Sequence, residues 1–170
     1  MTAAIWIANI LGWPVIHIVI GKIFLGLPVH YFERDGFLYA ERSWERDGEV
    51  YRRGLMVRSW KSWLPDGAPW LGGFSKKRLA GHDPEYLGRF LAEARRAELA
   101  HWCMLACLPL FFLWNPLWAC GVMTLYGVGA NLPCIVVQRY NRIVLTRLMR
   151  RAEDVVRETE LGFSNRANPG

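Results

Sequence analysis

The stretch EARRAELAHW, residues 93–102, sets two carboxylates, two guanidiniums and an imidazole close together. On a helix, at about 100° per residue, Glu98 and His101 fall within about 60° of each other, so their i, i+3 side chains meet. Glu93 lies on the other flank of His101, about 80° away by the same geometry. A carboxylate beside an imidazole orients the ring and raises its basicity, as a general base requires. Arg95 and Arg96 point away from that face, toward lipid phosphates or an anionic substrate group. The same residues also fit a plainer role, a polar helix end whose charges meet headgroups while His101 anchors at the interface.

A second polar cluster lies in NLPCIVVQRYNR, residues 131–142. Asn131 and Pro133 interrupt an apolar run, where polar groups and helix breakers are costly and mark a site or a packing contact. Gln138, Arg139, Asn141 and Arg142 follow where the run ends. Carried on adjacent antiparallel helices, the two clusters meet at one depth. His17 also sits inside an apolar run and is expected to make an interhelical hydrogen bond, with Asn131 or His101 as the partner. A metal site built from Glu93, Glu98, His101 and His17 has no recognisable ligand spacing, and none is expected. No GxSxG, glycine-rich phosphate loop or HExxH motif occurs, which disfavours an aqueous hydrolase or a nucleotide-dependent enzyme.

The elements that must carry these residues are apolar blocks. Thr2 to Gly21 has no charged side chain, and Lys22 follows. The segment lacks a basic start and a small-residue cleavage site, so it is expected to be a retained span. Leu99 to Val137 is a second charge-free run, of 39 residues. As one helix it would be roughly 58 Å long, about twice the hydrocarbon thickness, so it must fold back. Trp114-Asn115-Pro116 supplies the break, since Pro lacks a donor and restricts its predecessor. The predicted layout is a first span at 3–27, an interfacial segment at 28–97, and spans at 98–114 and 117–137. An amphipathic helix at 138–158 and a flexible tail at 159–170 complete it.

Charge orients these spans. Pro28–Glu98 holds 13 Lys and Arg, and the tail after Val137 holds 7, while the hairpin tip has none. The positive-inside rule puts the N-terminus and the tip outside, with the large loop and the tail in the cytoplasm, in a multi-pass cell-membrane protein. The net charge of +6 then reads as cytoplasmic loops and anionic headgroups rather than nucleic acid. All four cysteines, at 103, 107, 120 and 134, fall inside the charge-free run, as buried apolar thiols do.

In the interfacial segment, Asp35-Gly36 and Asp47-Gly48 are turn signals. FLYAERSW between them fits a strand or a short helix, so short strands within 31–50 stay open. Met56, Trp60, Trp63 and Leu64 then follow helical spacing, flanked by Arg52, Arg53, Arg58 and Lys61. That predicts a basic amphipathic helix lying at the interface, ended by LPDGAPWLGG. Asp83-Pro84 is a helix start, with Asp as N-cap and Pro at N1, and the helix is expected to run through Glu98 into the second span. Ile143, Leu145, Leu148, Met149 and Ala152 give the tail an apolar side. The fold class is therefore an all-α integral membrane protein of three transmembrane helices with a cytoplasmic interfacial region.

VRSWKSWLPDG (57–67), EARRAELAHW (93–102), the Asn-Pro at 115–116 and NLPCIVVQRYNR (131–142) resemble the glycosyl-4,4'-diaponeurosporenoate acyltransferase family. The resemblance runs from about Trp13 to about Met149. It departs at YNRIVL (140–145), where the family pattern is YNRPRL. It implies an integral membrane O-acyltransferase; the family's namesake completes a staphyloxanthin-type carotenoid, but the resemblance does not imply that pigment here, and the acceptor is another lipid or glycolipid as readily. Carried onto matching positions, it implies site residues at Arg58, Trp60, Lys61, Asp66, Arg95, Arg96, Glu98, His101, Trp102, Asn131, Gln138, Arg139, Asn141 and Arg142. The expected mechanism is acyl transfer to a hydroxyl, with His101 and Glu98 as the base pair. The other polar residues bind substrate: Asn141, Gln138 or an arginine at the oxyanion, and Arg95, Arg139 and Arg142 at donor phosphates. The expected partners are membrane lipids, an acyl donor such as a thioester, and a lipid or glycolipid acceptor, with no further cofactor. The alternatives are a non-catalytic lipid-binding or assembly protein, and a membrane transferase of another group.

Overall fold

The computed structural model describes residues 2–34, 36–64, 72–73 and 83–167. Three of its helical stretches are long and apolar enough to cross a membrane: Ala3–Gly26, Pro84–Leu113 and Leu117–Arg151. The first is helix α1, Ala3–Gly26. Its outward residues Ile7, Ile10, Leu11, Val15, Ile18 and Val19 are exposed, an apolar face far larger than water tolerates and suited to lipid. Among the described residues there is no strand. The segment in which strands stayed open instead forms 3-10 turns at Val29–Phe32 and Ser43–Gly48 and a π turn at Val50–Gly54. The Asp47-Gly48 signal marks a tight reversal, with Arg46, Asp47 and Gly48 all at positive φ (47°, 58° and 80°).

The predicted amphipathic helix is cut short. Helix α2 covers only Val57–Trp60 and passes into a 3-10 turn at Lys61–Trp63. Met56, expected on the apolar stripe, is left-handed (φ 47°) and exposed, and Trp63 is exposed as well. Val57 is buried in their place, packed with Tyr51, Val137, Tyr140 and Ile143, while Trp60 and Leu64 cover the edge of that cluster. The reason is Pro65: Leu64 precedes it and is extended (φ −68°, ψ 135°), so the helix has no room for a second full turn. The LPDG loop expected to follow lies, from Pro65 on, outside the described residues.

Helix α3 is Pro84–Ala106, begun as its sequence predicts, with the Asp83 side chain accepting from Tyr86 N at 2.8 Å. It ends earlier than the expected span at 98–114. Pro109 stops the α-helix at Ala106, and the chain reaches Trp114 as a 3-10 turn over Leu108–Leu113. Helix α4 then runs from Leu117 to Ala167 without interruption, through the expected boundaries at 137/138 and 158/159 and past Pro133.

Polar bonds and close packing fix how the spans lie together. Asn9 and Asn115 exchange reciprocal amide bonds of 2.8 Å, and Trp114 Nε1 donates to Asn9 Oδ1 at 3.0 Å, so the start of α1 sits at the hairpin tip. At the other end Arg96 on α3 donates to Leu27 O, just beyond α1. α1 is therefore antiparallel to α3 and parallel to α4. In between, Trp13 stacks on Phe111 with centroids 5.1 Å apart and donates to Met123 O at 3.2 Å. Two glycines make this contact: a Cβ on Gly127 would stand 2.2 Å from Trp13 Cζ2, and one on Gly12 2.7 Å from Phe111 Cε1. Among the described residues His17 has no hydrogen-bond partner on another helix; its Nδ1 lies 2.7 Å from Trp13 O on its own helix. Below the spans, Leu87, Phe90 and Leu91 pack against Leu145, joining α3 to α4.

Candidate active site

The two polar clusters meet between α3 and α4, at the end of the bundle away from the hairpin tip. His101, half-buried on α3, has its Nδ1 2.9 Å from Oδ1 of Asn131 on α4. Asn131 is fully buried, and its Nδ2 donates to Gly127 O at 2.9 Å. One partner of His101 is thus an amide on α4.

Glu98, expected to orient that imidazole, is fully buried one turn away and is engaged by two arginines of α4. Arg139 Nη1 donates to its Oε1 and Arg142 Nε to its Oε2, both at 3.1 Å. A second buried carboxylate, Glu45, closes the network. It accepts from Arg139 Nε at 2.6 Å, Arg139 Nη2 at 3.1 Å, Tyr51 Oη at 2.6 Å and the Arg42 backbone at 2.6 Å. Burial pushes the Glu45 carboxyl upward, but the bonds from Arg139, Tyr51 and the Arg42 amide outweigh it and hold the group below the ordinary carboxylate range. Burial, and then the bonded Glu45 carboxylate, hold the Tyr51 hydroxyl above its usual value. Two carboxylates thus face two guanidiniums in a buried, charge-balanced group. Arg139 also reaches the carbonyls of Leu38 and Ala40, and Arg142 that of Tyr39, so the network straps the 37–45 segment to both helices.

Arg95 and Arg96, expected to turn outward to headgroups, are buried. Arg95 Nη1 donates to Phe32 O at 3.1 Å and Glu33 O at 2.6 Å, and its guanidinium lies 5.6 Å from the centre of the Tyr39 ring. Arg142 lies 5.7 Å from the centre of the same ring. Arg96 Nη2 holds both oxygens of Glu93 at 2.6 Å. These side chains tie α3 to the chain leaving α1, because long guanidiniums satisfy several carbonyls at once in the angle between helices.

The remaining predicted residues are scattered around this centre. Lys61 Nζ lies 3.4 Å from Asn141 Oδ1, a bridge from the short turn to α4, and burial followed by the charge of Arg58 depresses its pKa. Trp60 Nε1 donates to Leu55 O at 2.8 Å, and Arg58 is exposed. Trp102 is exposed on the outer side of α3. Asp66 lies outside the described residues. Two polar atoms at the centre have no hydrogen-bond partner among the described residues: Arg142 Nη2 and Gln138 Oε1, one turn apart on α4. They are the groups left to meet a ligand or water.

Glu45, Tyr39 and Tyr51 complete the centre, and sequence reasoning passed over them. Glu45 sits in ERSWERD, where charges are dense and none stands out; its one local sign is the helix-start position three residues after Arg42, whose amide it accepts.

A family model described as glycosyl-4,4'-diaponeurosporenoate acyltransferase matches residues 35–151. A Staphylococcus haemolyticus protein of that name is 30% identical over 132 residues, covering 76% of this chain and 76% of its own length. A Staphylococcus aureus protein of the same name is 29% identical over 140 residues, 81% of this chain and 84% of its own. No solved structure matches the chain. The matched region includes the whole of the His101–Asn131 pair and the Glu45–Arg139–Glu98–Arg142 network.

Proposed function

Because the chain belongs to the glycosyl-4,4'-diaponeurosporenoate acyltransferase family, we propose that it transfers a fatty acyl group to a hydroxyl of a membrane-soluble acceptor. The relatives' name specifies a glycosyl diaponeurosporenoate; for this chain the acceptor is a lipid or glycolipid of that general kind, and the donor an acyl thioester. The chemistry runs at the charged end of the bundle, which faces the cytoplasm.

The observation that carries this reading is the half-buried imidazole of His101, tethered across two helices to Asn131 and one turn from the arginine network. His101 is the general base. The acceptor hydroxyl gives its proton to the imidazole as its oxygen attacks the acyl carbonyl carbon. The new C–O ester bond forms, the C–S bond of the thioester breaks, and the proton passes from the imidazolium to the departing thiolate. Glu98 serves here as the anchor for Arg139 and Arg142 rather than as the ring's partner. Arg142 Nη2 and Gln138 Oε1, which have no partner among the described residues, are the polar contacts offered to substrate.

Mass spectrometry of lipids from cells with and without the protein tests the reading directly. An added acyl mass, absent when His101→Ala is expressed at equal level, is the expected result. The expected loss is about 10²–10⁴-fold, the usual contribution of a general base. Wild-type turnover by purified His101→Ala removes the base assignment. A lipid profile unchanged by the protein would favour a non-catalytic lipid-binding role, and a different added mass a transferase of another group.

A further inference from the structure

Lys61 stands apart from the arginines of the buried network. Arg139 and Arg142 are neutralised by Glu45 and Glu98, and Arg96 by Glu93. Lys61 is half-buried where α2 passes into its 3-10 turn, and its Nζ meets neutral groups: Asn141 Oδ1 at 3.4 Å and the Tyr140 ring, whose centre lies 5.6 Å away. One turn back is Arg58, exposed and of the same charge. Among the described residues neither cation has a carboxylate partner. Burial and then the charge of Arg58 push the Lys61 amine below its usual range. Both effects disfavour an ammonium, and an anion held by the two side chains removes both. An ammonium acts as a point charge toward phosphate and a guanidinium as a planar fork, so the two bind it in complementary ways. We infer that Lys61 and Arg58 bind a phosphate group, with Asn141 fixing the amine from α4.

The position of the pair narrows the ligand. A hydrocarbon core takes about 20 residues of helix, which from Leu117 ends at Val136, and Asn141 lies a further five residues (137–141), roughly 7.5 Å, along α4. By that length Lys61 stands at headgroup depth, within reach of soluble ligands. Asn131, which is bonded to His101, is ten residues from Asn141 on the same helix, roughly 15 Å. A phosphate at Lys61 is therefore too far from His101 to take part in bond making, and it acts as a tether. The ligand that fits both points is a thiol carrier whose phosphate is joined to its thioester through a long flexible arm. A phospholipid holds its phosphate and its acyl esters close together and does not span that gap. The choice of carrier rests on the proposed acyl transfer; the phosphate site does not.

Melting of the full chain in a maltoside detergent, which carries no phosphate, reads the site, because a ligand that binds the folded state raises the melting temperature. Coenzyme A, pantetheine (the same arm without phosphate) and a short-chain phosphatidylglycerol are titrated separately. Coenzyme A is expected to stabilise the wild type, with an affinity about 10-fold weaker in Lys61→Gln and in Arg58→Gln, the cost of losing a hydrogen bond to a charged group. Lys61→Arg keeps the charge and should keep most of the shift. Arg53→Gln, which removes an exposed arginine paired with Glu49, is the control and should bind like wild type. A shift from phosphatidylglycerol alone, lost in the same two variants, keeps the phosphate site and overturns the carrier as its ligand. The inference fails outright if neither phosphate compound shifts the wild type, if pantetheine binds as well as coenzyme A, or if both Gln variants bind like wild type. Arg58 is exposed, so Arg58→Gln decides alone should Lys61→Gln not fold. Turnover is no part of the readout, so a wild-type protein that transfers no acyl group would remove the proposed function and leave the phosphate site to the binding result.

Discussion

Glu45 shows how one buried side chain ties a loop to the arginines of a helix. It is fully buried and joins Arg139 to Tyr51 and to the backbone at Arg42. Its carboxyl titrates below its ordinary value of 4.5 in the folded protein. A carboxylate with a lowered folded pKa adds stability that is fully present above the unfolded value and is lost as pH falls through the folded one. Wild-type protein in detergent is therefore expected to lose thermal stability as pH drops below about 4.5, the ordinary carboxylate value. Glu45→Gln should melt lower at neutral pH and show a flatter acid limb. An acid limb unchanged by the substitution would mean that other groups carry it. At this scale His101 and Asn131 were legible because a polar side chain in an apolar run is conspicuous. Their bond was not, since helix periodicity relates residues on one helix and says nothing about which residue faces it from another. The i, i+3 neighbour Glu98 therefore looked like the natural partner, and Glu45, lost among exposed charges, did not look like anything.

The helices were legible in proportion to the length of their signals. Two long charge-free runs and an Asp-Pro start place α1, α3 and α4 from sequence alone. The stripe from Met56 to Leu64 was too short to compete with Pro65 and with burial of Val57, so periodicity failed there. How the spans pack depends on a feature no hydropathy pattern reports, the absence of a Cβ. Trp13 fills the place that a side chain at Gly127 would take. Gly127→Ala is expected to push the indole off Phe111, break its bond to Met123 O and destabilise the bundle by about 1–3 kcal/mol, the usual range for overpacking. Gly129→Ala, where nothing lies within 4 Å of the added carbon, serves as the control and should melt like wild type. Equal melting of the two variants in detergent would show that Trp13 yields at no cost.

The whole molecule divides its polarity between two ends. The tip end holds the start of α1 and the 114–116 turn, joined by neutral amides and free of ionisable side chains. The opposite end carries the basic segment, the arginine network and the extension of α4. A hydrocarbon core needs about 20 residues of helix, which from Leu117 reaches Val136 and from Thr2 reaches Gly21. By that length His101 and Asn131 fall near the charged end of the apolar helices, and on the proposed function an acyl chain would meet a hydroxylated acceptor there. With 20 of the 21 Lys and Arg after Lys22, the positive-inside rule predicts the basic end in the cytoplasm. Single cysteines in a background lacking the native four test this at two highly exposed sites, Leu117 at 86% and Trp63 at 84%. An impermeant maleimide added to intact cells should label Leu117→Cys, and Trp63→Cys only after lysis. The reverse labelling would turn the protein over, and would move acyl transfer to the outer surface, beyond the reach of a cytoplasmic thioester donor.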